Sequence, residues 1–218
     1  WGASVEMSAA VLRDFARLQI ASASKLDELL AIGCIDRRLP KLAEQIDLLF
    51  GDADMLAYVS TEVQQQLLLA APRLKALCRQ LGQYLVPATL VHGDMHFGNV
   101  AHRPIANVGD ANVGDDTGSD TRDSDASRYV FFDWTDACVT HPFLDMIHIL
   151  HERDEGMQKQ LCDSYLTMWL AYEPMERLLE MWQIAYPLCA LHQAVSYRYI
   201  LLTNEPADCK QEMAWAMP

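Results

Sequence analysis

No stretch of the 218 residues approaches the roughly 20 consecutive apolar positions that a bilayer-spanning helix needs. The N-terminal residues lack the basic-then-apolar order of a secretory signal. The six cysteines, at 34, 78, 138, 162, 189 and 209, contain no CxxC pair and lie far apart. That spacing speaks against a zinc ribbon or a disulfide framework and for reduced, mostly buried thiols, with a reducing cytoplasm as the expected setting. Positive charge is scarce: 17 Lys and Arg stand against 30 Asp and Glu, a formal net charge of −13. A nucleic-acid partner needs a basic footprint, so that class is excluded. Six aspartates against one arginine fall within residues 110–125, so part of the acidity belongs to one segment. The rest suits either plain solubility or a cationic substrate.

Present in ordinary measure are apolar residues, at 51%, and length enough for one well-cored domain spanning residues 1–218. Apolar positions at Met7, Val11, Leu12, Phe15 and Leu18 predict an amphipathic helix over 6–20. Ser24 and Asp27 read as a capping box for a helix over 25–32 that stops at Gly33. Pro40 opens a helix over 41–50. A helical region over 60–85 is expected to split at Pro72, with Leu67, Leu68, Leu74, Leu77, Cys78 and Leu81 facing the core. Further helices are expected after Pro142, over 157–172, and over 174–202 with a kink at Pro187. The fold class read from this is α+β and mostly helical, with one small β-hairpin. Residues 103–128 repeat ANVGD in tandem and continue in Gly, Ser and Asp, which predicts a solvated polar insertion. Its Asp-x-Asn-x-Gly-Asp string lacks the spaced ligands and bidentate Glu of a calcium loop.

Chemistry concentrates where two short β-type runs end in polar clusters. The run over 88–91 delivers His92, Gly93, Asp94, Met95, His96, Phe97, Gly98 and Asn99, and the run over 129–132 ends in Asp133. Rigid strands that stop at exposed loops are where folds place reacting groups. An aspartate can accept a hydroxyl proton, while an asparagine and a second aspartate offer the hard oxygen ligands that magnesium prefers. The order Asp94, Asn99, Asp133 matches the catalytic-loop Asp, its Asn and the metal-binding Asp of kinase-like folds.

HGDxHxxN followed by an apolar residue and Asp133-Trp134 resembles the aminoglycoside phosphotransferase and choline kinase-like family of small-molecule kinases. The string over 14–22 is similar to the helix that opens the C-terminal lobe there, with Gln19 where the family usually has histidine. The resemblance implies a kinase-like C-terminal lobe. It implies ATP (or GTP) and magnesium as donor and cofactor, and a small hydroxylated acceptor such as an aminoglycoside, choline, ethanolamine, a sugar or an amino alcohol. It assigns Asp94 and His96 to catalysis, His92, Asn99 and Asp133 to cofactor binding, Asn99 and Asp133 to the metal, and Asp145 to bracing the catalytic loop. Read from the residues alone, His92 is more a structural bridge than a ligand, while His96 divides evenly between loop structure and the phosphate. His141, His148, His151 and His192 read as structural or surface groups, and Trp169, Trp182 and Tyr197 more as core than as a cleft. The Asp-Trp-Thr string in place of Asp-Phe-Gly speaks against a protein substrate.

No glycine-rich turn between strands and no strand lysine precede Asp94, since Lys25, Lys41 and Lys75 sit in helical patterns. The chain opens on Trp1, so the expectation is a C-terminal lobe without its nucleotide lobe, inactive by itself. Two alternatives stand beside this: a non-catalytic, pseudokinase-like binding module and, less favoured, a binuclear metallophosphoesterase, whose Gly-Asn-His string is missing here.

Overall fold

The computed structural model describes residues 4–57, 59–102 and 129–203. The 103–128 insertion, the tail from 204 and Cys209 lie outside them. In chain order come α1 (Val5–Ser22), α2 (Leu26–Ala31), β1 (Ile35–Asp36), α3 (Leu39–Phe50), α4 (Ala53–Leu56) and α5 (Thr61–Leu81). Then follow β2 (Thr89–Val91), β3 (Val100–His102), β4 (Tyr129–Phe131), β5 (Cys138–Thr140), α6 (Ile147–Leu150), α7 (Glu155–Leu166) and α8 (Met175–Thr203). The mostly helical α+β expectation therefore holds. No helix among the described residues is long and apolar enough to cross a membrane.

The sheets are small. β3 and β4 pair antiparallel with Val100 opposite Phe131, so the run over 129–132 does form a small hairpin, but with residues 100–102 and not with the run over 88–91, which pairs with β5. A second sheet of order β1-β5-β2, parallel at one seam and antiparallel at the other, was not foreseen. Strands of two and three residues are too short to print a period of two.

The core runs between α1, α7 and α8 on one side and α3, α5 and α8 on the other. Phe143 is its hub, with ring centroids 5.7 Å from Tyr165, 5.9 Å from Trp169 and 5.8 Å from Trp182. Trp169 and Trp182 are thus core, as their helical spacing implied. Gln19, fully buried, donates to the Pro142 carbonyl at 3.4 Å and accepts from the Tyr165 hydroxyl at 2.7 Å, tying α1 and α7 to the segment that carries Asp145.

Three sequence expectations are corrected. Pro72 does not split its helix, because α5 is continuous from Thr61 to Leu81. Pro72 and Leu68 both face solvent, so the carbonyl that loses its N–H partner can bond water instead. Leu68 accordingly leaves the core face, at 55% exposure, while Cys78 and Leu81 are buried in it. Ser24 caps nothing: its hydroxyl donates back to the Ala21 carbonyl within a 3-10 turn, and α2 starts without a side-chain cap. Among the described residues the five cysteines are free thiols, four of them buried.

Candidate active site

β2 ends at Val91, and the chain turns sharply through His92 and Gly93. Gly93 has φ +87°, and a Cβ built there would lie 2.2 Å from the Asp136 carbonyl oxygen, so both the turn and the close approach demand glycine. Asp145 holds this turn from beneath. Its buried carboxylate accepts the backbone N–H of His92 at 2.6 Å and of Gly93 at 3.0 Å. Burial pushes its pKa up to about 6, against the opposing pull of those same N–H donors and of His92. That is the bracing role expected of it, and on α8 Gln193 adds a hydrogen bond to the Gly93 carbonyl at 2.9 Å.

With its backbone clamped, Asp94 projects a half-exposed carboxylate. Five residues on, the Asn99 amide nitrogen donates to the Asp94 carbonyl at 3.0 Å, which closes the loop and leaves the amide oxygen as the atom available to a cation. Between them His96 accepts from the Gly98 N–H through Nδ1 at 3.0 Å, and its Nε2 lies 3.5 Å from an Asp94 carboxylate oxygen. One imidazole thus shapes the turn and touches the carboxylate.

The second segment is stitched onto the first. The Phe132 N–H donates to the Asn99 carbonyl at 3.1 Å, and the His92 ring Nε2 bonds the Phe132 carbonyl at 2.8 Å. His92 is fully buried and its ring packs 4.7 Å from that of Trp134. These contacts belong to the structural-bridge reading of His92. Asp133 follows with φ +64°, a left-handed conformation that is unfavourable outside glycine and here turns an exposed carboxylate out of the strand end. The Thr135 hydroxyl donates to it at 3.0 Å.

Asp136 and Gln193 were missed in the sequence. Burial first, and then the negative charge of Asp94, push the Asp136 carboxyl above its ordinary value, with Asp133 adding to the effect. Three carboxylates therefore share one field at the loop edge. Asp136 carries no motif of its own, and Gln193 comes from a helix a hundred positions away, so neither left a signal in the sequence. Among the described residues no group of three or more His, Cys, Asp or Glu side chains is placed to hold a metal ion. Magnesium asks for less, since one or two protein oxygens suffice when substrate phosphates complete its shell. The Asn99 amide oxygen and the Asp133 carboxylate are hard oxygens of the kind magnesium takes.

Comparison with protein-family models, with curated proteins and with solved structures finds no match to this chain.

Proposed function

We propose that this chain carries the acceptor-side and metal-side groups of a small-molecule phosphotransferase, with a nucleoside triphosphate as donor and a hydroxyl as acceptor. The observation that supports it most is the clamped loop. A buried carboxylate fixes the backbone at His92 and Gly93, so that Asp94 is held out toward solvent beside Asn99, and the charges of both Asp94 and Asp133 reach Asp136. Pre-set positioning of this kind is most of what phosphoryl transfer asks of a protein.

In this reading Asp94 orients the acceptor hydroxyl and takes its proton as the oxygen attacks. His96, 3.5 Å from the same carboxylate, steadies its orientation. Asn99 and Asp133 would hold magnesium, whose positive charge would offset that of the donor phosphates. Asp145 and Gln193 keep the loop in register. The resemblance to the aminoglycoside phosphotransferase and choline kinase-like family, carried by residues 92–99 and 132–134, points the same way. It makes a kinase-like C-terminal lobe the proposed architecture.

The test is phosphate transfer from ATP with magnesium across aminoglycosides, choline, ethanolamine, sugars and amino alcohols. It is run on the chain alone and joined to whatever sequence its gene places before residue 1. Turnover with one acceptor, lost in Asp94→Asn, supports the reading and names the substrate. Absence of turnover and of magnesium-dependent nucleotide binding in both forms favours the non-catalytic alternative.

A further inference from the structure

Arg37, in the link between β1 and α3, is 1% exposed. A buried guanidinium is normally matched by a carboxylate, because an unpaired buried charge is costly. Here, among the described residues, no carboxylate forms an ion pair with it, and the Ser196 hydroxyl on α8 is its one side-chain oxygen partner. Asp136 feels its charge without touching it. The buried Cys138 thiol is a further side-chain partner, and it carries no charge to balance the guanidinium.

Arg37 also lines a cavity of about 100 Å³ between β1, α3 and α8, well above the roughly 10–15 Å³ that one water needs. Arg198 lines the same space, paired with Asp52 through its Nε at 2.9 Å, with Tyr199 beside it and Leu48 at the mouth. Gln45 also lines it, and its side-chain oxygen is buried without a hydrogen-bond partner. A fork of donors and a lone acceptor on one wall describe a ligand that carries both a negative oxygen group and a hydroxyl.

We propose that this cavity binds a small oxyanion, a phosphate or carboxylate group with an adjacent O–H, held by Arg37 and Arg198 and donating to Gln45. None of these residues belongs to the phosphotransfer machinery, so the inference stands or falls independently of that reading.

The test follows the Arg37 Nε–Hε signal by ¹⁵N-edited NMR while inorganic phosphate or glycolate is titrated at constant ionic strength. Ethylene glycol serves as the uncharged control. A saturable shift with one anion, weakened about tenfold in Arg198→Met, is the expected result, and the tighter of the two anions identifies the head group. Arg198 lies at the cavity rim, so that variant spares the buried Arg37. Arg37→Lys, which keeps the charge but loses the planar fork, is expected to weaken binding as well. No saturable shift with either anion, an equal shift with ethylene glycol, or full affinity in Arg198→Met overturns the proposal.

Discussion

Two backbone N–H groups, those of His92 and Gly93, end on the buried Asp145 carboxylate, and the placing of Asp94 depends on them. Asp145→Ala would leave both donors unpaired in the interior, at about 1–3 kcal/mol each. Urea denaturation is expected to show a loss of about 2–6 kcal/mol, and a loss within 0.5 kcal/mol, about the size of a neutral surface change, would contradict the bracing role. Gly93→Ala meets both a positive φ and a backbone oxygen 2.2 Å from the new methyl group. It is expected to destabilise by at least about 1–3 kcal/mol by the same measurement, even though alanine is otherwise a mild change. The residues proposed to react, Asp94, Asn99 and Asp133, stand out in the sequence because strand ends and a short motif mark them. Their supports were legible only in part. Asp145 could be named by resemblance, whereas Asp136, Gln193 and Arg37 gain their meaning from neighbours distant in the chain.

The helices show where local rules suffice and where they do not. α1 was read within two residues of each end, since its apolar face repeats cleanly and Ser4 caps it by accepting from the Met7 N–H. α5 was read as broken because proline inside a helix removes a bond, yet packing against α3 carries the helix through. That residue still bears its intrinsic cost. Pro72→Ala restores a donor at an exposed position and is expected to raise stability by about 1–3 kcal/mol, visible as a higher melting temperature. A lower one would mean that the fixed φ of proline is what the helix needs at this point. β1 and β5 escaped notice altogether, although they place Arg37 and Asp136. Their pairing is long-range, and nothing local in two or three residues announces it.

For the molecule as a whole, buried histidines set the response to acid. Burial holds His141 and His192 neutral, with pKa values lowered to about 3, while the unfolded chain takes up those protons near pH 6.5. Their contribution is therefore complete above pH 6.5 and is lost as pH falls toward 3, by up to about 1.4 kcal/mol per pH unit for each. Asp145 runs the other way. Its raised folded pKa of about 6 favours the folded state as pH falls from 6 toward 4. His148, lowered by burial too, and Asp136, raised like Asp145, leave three imidazoles against two carboxyls, which predicts a protein less stable at pH 5 than at pH 7. In His141→Asn the cap acceptor for the Phe143 N–H is kept but the titration is removed, so denaturation midpoints at the two pH values should lie closer together. An unchanged difference would show that His141 is not among the groups responsible.

The central claim, that Asp94, Asn99 and Asp133 form one phosphoryl-transfer site, is tested most directly by magnesium-dependent turnover. Wild type, Asp94→Asn and Asp133→Asn would be compared in whichever form of the protein is active. The account predicts that Asp94→Asn lowers kcat by about 10²–10⁴ with the magnesium requirement unchanged, as removal of a proton acceptor should. It predicts that Asp133→Asn raises the magnesium concentration needed for half-maximal rate. Wild-type turnover in Asp94→Asn, or a magnesium requirement untouched by Asp133→Asn, would contradict it.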